Sequence, residues 1–154
     1  MPSAQIRTLP NIPSPNARAI AQRLVAYEAG AGNPSEANTP AAARVAEKLR
    51  RSISTLAGNS GWLALLSRAL TLAKAQVPEL GPVQVRTDGS LEGLNELRAN
   101  QAPEAGALII TQLLGLLGLL IGEYLTRRLV ADVWPDLPAF DAEPYRESGN
   151  DPTR

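Results

Sequence analysis

Between Ala105 and Trp134 the chain reads AGALIITQLLGLLGLLIGEYLTRRLVADVW. Ten of the eighteen residues from Ala105 to Gly122 are Leu or Ile, and none of the eighteen is charged. Taken as one helix, Ala105 to Trp134 would run ~45 Å at about 1.5 Å per residue. A helix this apolar on every side needs cover, either from the other helices of a small chain or from a membrane.

Both covers have support in the sequence. The charge-free run spans ~27 Å, just under the ~30 Å of a hydrocarbon core. Its Leu and Ile residues favour insertion by roughly 3–6 kcal/mol, while Thr111, Gln112 and the glycines oppose it. Gly115, Gly118 and Gly122 form a close-approach face, and Gly118 and Gly122 match the small-xxx-small spacing of membrane helix pairs. Three features favour a protein core. Arg127 and Arg128 would hold the C-terminal side inside the cell, sending everything before the run outward. The start of the chain, MPSAQIRTLPNIPSPN, lacks the apolar core of a signal peptide. Leu125, Leu129 and Val133 also carry the apolar stripe past Glu123, as a helix packed on protein would. The expectation is a core helix, with a span over about 105–122 as the alternative.

At 154 residues the chain reads as one domain. Fifteen basic and fifteen acidic residues cancel, so no net field draws nucleic acid or anionic lipid. Few aromatics and abundant Ala and Leu favour helices over strands. The chain has neither Cys nor His. Disulfides are thereby excluded, and the usual zinc ligand sets and the Ser–His and Cys–His nucleophile pairs are missing.

Four prolines in the first sixteen residues predict an extended arm over 1–15. Ser14-Pro15 then reads as a helix start, with Ile20, Leu24 and Tyr27 on the inner stripe and Gly30 and Gly32 at the end. Thr39-Pro40 opens a second helix to Ala57, closed by Gly58, with Val45, Leu49, Ile53 and Leu56 inward. A third, Trp62 to Val77, follows Ser60 as N-cap and buries Trp62, Leu66, Ala69, Leu70 and Ala73. Leu63, Leu65 and Leu72 widen that face. Helices two and three are expected to form an antiparallel hairpin. Val83 and Val85 alternate with polar residues, so this segment is extended or pairs with another copy. Ser90 is expected to cap a short helix over Leu91–Ala99, and Asn100–Glu104 to be a loop. Pro135 and Pro138 stop the long helix. Residues 136–154, with five acids, two bases and three prolines, read as a disordered acidic tail.

Few residues suggest chemistry. Arg44, Lys48, Arg50 and Arg51 lie on a helix whose surroundings hold little acid, a pattern that binds phosphate, acidic lipid or an acidic partner, or is simply solvated and balanced elsewhere. No aromatics are interleaved as stacking platforms, which favours the solvated reading. Asp88, Ser90 and Glu92 fit a calcium loop poorly, since position twelve counted from Asp88 is Ala99. Glu123 is either a buried acid or the partner of Arg127 four residues on, a spacing that Arg128 and Asp132 repeat. The ion pair is the simpler reading, because no second carboxylate converges on Glu123. Ser52, Ser54 and Ser67 have no base nearby, and Lys48 and Lys74 are no better placed as Ser–Lys partners. Gly115-Leu-Leu-Gly118 is not a phosphate loop, lacking a Lys and a preceding strand. No catalytic, cofactor-binding or metal residue is assigned.

The stretches EKLRRSISTLAGNSGWLALLSRALTLAKAQVP and LLGLLGLLIGEYLTRRLVADVWPD, with DGSLEGL at Asp88–Leu94, resemble a family of small bacterial proteins without assigned activity. The resemblance covers residues 44–136 and implies no cofactor or catalytic residue. It implies a bacterial, cytoplasmic protein in which Glu123, Arg127, Trp134 and Pro135 recur as a unit.

The expected fold is all-α. Four or five helices form a bundle over 16–135 around the long apolar helix, with arms at 1–15 and 136–154. The expected function is a non-enzymatic protein-interaction or scaffold module, able to self-associate. The alternative is a small protein anchored in the inner membrane by a single span at about 105–122.

Overall fold

The computed structural model describes residues 15–31, 40–98 and 100–137. The expected arms lie outside these, except for Pro15, which opens a helix, and Asp136 and Leu137. The Ser14 cap also lies outside them. The protein is all-α. Among the described residues there are four helices, α1 (Pro15–Ala31), α2 (Ala41–Gln76), α3 (Ala102–Ile121) and α4 (Glu123–Val133), and in chain order a two-stranded bridge of β1 (Gln84–Val85) and β2 (Leu91–Glu92) falls between α2 and α3. The single domain expected over 16–135 divides into two compact units, one up to Leu116 and one from Leu117.

In the first unit, α1 buries Ala17, Ala21, Leu24, Val25 and Glu28. Those positions repeat at helical spacing. Of the expected stripe only Leu24 is fully inside; Ile20 and Tyr27 are half-buried. The inner stripe is turned toward the alanines, whose small side chains let α1 lie close on α2.

Gly58 interrupts α2 with φ 78° and ψ 170°, a conformation essentially confined to glycine. A straight helix would hold Arg50 and Trp62 ~18 Å apart. Instead, a Cβ placed on Gly89 would lie 2.8 Å from Trp62 Cδ1 and 3.0 Å from Arg50 Cδ. The halves 41–57 and 59–76 therefore turn back toward one another, as the expected hairpin requires. Ser60 is not an N-cap, because the helix resumes directly after Gly58. Val45, Leu49 and Ile53 are buried as expected, but Leu56, at the tip of the bend, is 72 % exposed. In the second half Trp62, Leu66, Ala69, Leu70 and Ala73 are all buried. Leu63, Leu65 and Leu72 are half-buried.

The extended segment pairs within the chain. Gln84 faces Glu92 and Val85 faces Leu91 in an antiparallel bridge. The short helix expected over Leu91–Ala99 does not form; only a single 3-10 turn, Leu94–Glu96, follows the strand. Gly93 prevents it, with φ 97° and a position where a Cβ would overlap the Pro82 carbonyl oxygen. Ser90 caps no helix. Its backbone N–H and hydroxyl donate to Asp88 Oδ1 at 3.0 and 2.7 Å, closing the hairpin turn. Trp62 Nε1 donates to the Gly89 carbonyl at 2.7 Å, which ties this turn to α2.

α3 begins at Ala102, inside the expected loop, with Pro103 in its first turn where a missing N–H costs nothing. It buries Ala105, Ala107, Ile109, Ile110, Leu113 and Leu114. Gly106 permits the close approach to α2: a Cβ there would lie 2.5 Å from that of Ala42.

The second unit holds the last turn of α3 and all of α4. One helix was expected to run unbroken to Trp134, but Gly122 (φ 92°, ψ 156°) divides it. The Thr126 N–H and hydroxyl both donate to the Gly122 carbonyl, at 3.1 and 2.8 Å, and start α4. The close-approach role expected of Gly118 and Gly122 is not seen. A Cβ on Gly118 would meet only Glu123 Cγ, at 3.8 Å, and one on Gly122 nothing within 4 Å. Leu117, Thr126, Arg127, Leu129, Val130 and Trp134 are buried.

Two glycine substitutions separate strain from clash. Gly122→Ala is expected to cost about 1–3 kcal/mol through backbone strain alone. Gly93→Ala adds an overlap with backbone and is expected to cost more. Urea unfolding of both variants checks the order.

An exposed apolar face around Gly122

The basic helix singled out in the sequence is largely neutralised. Glu28, on the buried stripe of α1 and only 3 % exposed, takes Lys48 Nζ at 2.6 Å and Arg44 Nε at 3.5 Å. Arg44 also donates to the Glu28 backbone carbonyl. Arg50 pairs with Glu47 one turn earlier, and this hydrogen bond with its charge raises the Arg50 pKa further above its ordinary value. Arg51 is exposed. The balancing acid of the solvated reading is thus mainly Glu28, which sequence reasoning passed over. Its signal was available: Glu28 continues the Ala17, Ala21, Leu24 spacing, and a carboxylate on an inner stripe needs a cation.

The other singled-out residues do not converge. Asp88 is held by Ser90, and these two hydrogen bonds draw its carboxyl below the usual range. Glu92 takes Arg86 Nη1 at 2.8 Å. Among the described residues no three carboxylates gather in a metal-holding group. Ser67 is exposed and Ser54 Oγ is buried without a hydrogen bond among the described residues. Lys48 is occupied by Glu28. Glu123 is 52 % exposed at its side chain and pairs with Arg127 Nη2 at 3.3 Å, so it is an ion-pair partner and not a buried acid. Arg128 turns to Tyr124, with Nη1 donating to the hydroxyl at 3.1 Å and the guanidinium carbon 6.0 Å from the ring centre.

What the fold does present is an apolar face. Among the described residues, five large apolar side chains are exposed: Leu56, Leu119, Leu120, Tyr124 and Leu125. Four of them fall between 119 and 125. Leu119 and Leu120 are 69 % and 67 % exposed, Leu125 53 % and Tyr124 46 %. Gly122 lies between the two pairs in the chain and divides α3 from α4. Together these four side chains expose on the order of 500 Å², comparable with the ~300–600 Å² of the largest apolar patch on a typical monomer, which is often functional.

Two measurements check this geometry. Glu28→Gln leaves Arg44 buried without its carboxylate and is expected to cost about 3 kcal/mol in thermal or urea unfolding, the low end for buried pairs because Lys48 is part-exposed. Ser90→Ala is expected to raise the Asp88 carboxyl toward its ordinary value, read by NMR titration. Because the folded pKa of Asp88 is depressed, its contribution is present above the unfolded value of about 3.9 and is lost as pH falls through the folded one. The variant should flatten that acid limb. No family model, curated protein or solved structure matches the chain, so the role of the face has to be read from its own residues.

Proposed function

We propose that this protein is a non-enzymatic interaction module that binds a protein partner, or itself, through the face at 119–125. The observation that carries the reading is the concentration of exposed Leu119, Leu120, Tyr124 and Leu125 at the junction of two helices. Burying such surface is the main driving force of association, and an exposed Leu pair beside a Tyr has no use in water. The internal pairing of Arg44, Lys48 and Arg50 argues against nucleic acid as the partner. The reading goes with a cytoplasmic protein, and the resemblance over 44–136 implies a bacterial one. It requires no cofactor and assigns no small-molecule ligand.

The second reading, a protein anchored in the inner membrane by a single span over about 105–122, draws on α3. This helix is long and apolar enough to cross a membrane, yet 56 % of its apolar window is buried within the chain. Buried Leu113 and Leu114 beside Gln112 suit a helix packed on protein.

Expression without detergent, followed by fractionation and circular dichroism, tests the choice. The interaction module is expected in the supernatant and helical. Leu129→Asp, at a buried position of α4, should unfold it, whereas Leu120→Asp, at an exposed one, should not. Recovery only from the membrane pellet, released by detergent and not by high salt, would overturn the module in favour of the anchor.

A further inference from the structure

We infer that the bend at Gly58 is a hinge through which two copies of this chain exchange halves. In the exchanged dimer α2 is straight. There α1 and residues 41–57 of either copy pack on residues 59–116 of the other. The face at 119–125 takes no part in this exchange.

The bend itself points to a hinge. A single residue with non-helical backbone angles, Gly58, joins the two halves of α2. Short connections invite exchange, because straightening them opens the whole hairpin. Two glycines hold the bend closed, each in a different way. At Gly58 (φ 78°, ψ 170°) a Cβ would meet nothing within 4 Å, so only backbone conformation opposes another residue there. At Gly61 a Cβ would lie 2.6 Å from that of Ala57. In a straight helix positions four apart hold their Cβ atoms about 5–6 Å apart, and that clash disappears. Alanine also favours a helix over glycine at either position.

The surroundings of the bend suit its opening. Residues 55–60 are all exposed, so straightening displaces no packed neighbour. Leu56, 72 % exposed in the bent form, stands in a straight α2 at helical spacing from Leu49, Ile53 and Leu63. The straight helices of the two copies pass each other at their hinges, which gives Leu56 the cover that the bend withholds. Exchange also conserves the contacts between halves. Glu28 holds α1 to the first half through Arg44 and Lys48. The approaches of Gly106 to Ala42 and of Gly89 to Arg50 are made again, now between copies. Hinge conformation and effective concentration, on the order of millimolar for a short connection, then set the balance of monomer and dimer.

Wild-type chain refolded from urea at about millimolar concentration is expected to give a helical dimer beside the monomer, read by size exclusion with light scattering. Gly58→Ala is expected to bring the dimer in at roughly a hundredfold lower concentration, about tenfold for each of its two hinges. Gly61→Ala should act in the same direction. Leu120→Asp should leave this dimer intact, whereas association through 119–125 would be lost with it. Complementation identifies the exchange. In the Gly58→Ala background, Leu49→Asp and Leu66→Asp each charge a fully buried position, one in either half, and each alone is expected to lose its helical signal. Refolded together, they can join the intact half of each chain in one sound lobe, so part of the helical signal should return. Wild-type and Gly58→Ala chains that stay monomeric at every refolding concentration would overturn the exchange and leave the interaction reading standing. So would a dimer that Leu120→Asp dissolves, or a mixture of the two charged variants without rescue.

Discussion

The apolar circumference of α3 is the constraint to which the rest of the chain responds. A helix with so much Leu and Ile cannot stand in water, and its first half does not. Gly106 brings its backbone onto Ala42 of α2, closer than any side chain would permit, and Ile109, Ile110, Leu113 and Leu114 become core. Leu119 and Leu120, one or two turns further on, are left open. The same composition that makes the core also leaves a surplus at its end, and the proposed activity of the protein lies in that surplus.

Around this helix the smaller contacts have distinct tasks. Glu28 joins α1 to α2 by charge, with the carboxylate withdrawn from water and met by Arg44 and Lys48. Such a triad adds little net stability against well-packed apolar residues but penalises any pairing that separates its members. Trp62 performs a comparable task for the hairpin turn. Its ring is fully buried, yet its one polar atom reaches the Gly89 carbonyl, so the large apolar side chain costs no unsatisfied donor.

The absence of His and Cys from the sequence removes most nucleophile and metal chemistry. Among the described residues several carboxylates and cations are taken up locally: Glu47 with Arg50, Arg86 with Glu92, Glu123 with Arg127, Asp88 with its turn. Against that background the proposed use of the chain is association through the exposed Leu and Tyr side chains at 119–125.

The sequence by itself determined the helical class, the break at Gly58 and the inner face Trp62, Leu66, Ala69, Leu70 and Ala73, because helical periodicity and glycine placement are local properties. It also contained the Glu123–Arg127 pair, which needs only one turn of helix. Tertiary structure decided what depends on residues distant in the chain. Whether Val85 had a strand to pair with depended on Leu91 arriving across the turn, and a helical pattern of leucines concealed that strand. Leu56 kept the spacing of a core residue yet stands at the tip of a bend, where no neighbour covers it. Spacing alone passed over Gly106 and gave Gly118 and Gly122 a close-approach role. Only packing made the first a contact with α2, left the second in ordinary contact, and let the third divide a helix. The face at 119–125 belongs to the same class of outcome. Hydrophobicity states that a side chain needs cover, but the amount of cover available is set by the rest of the fold.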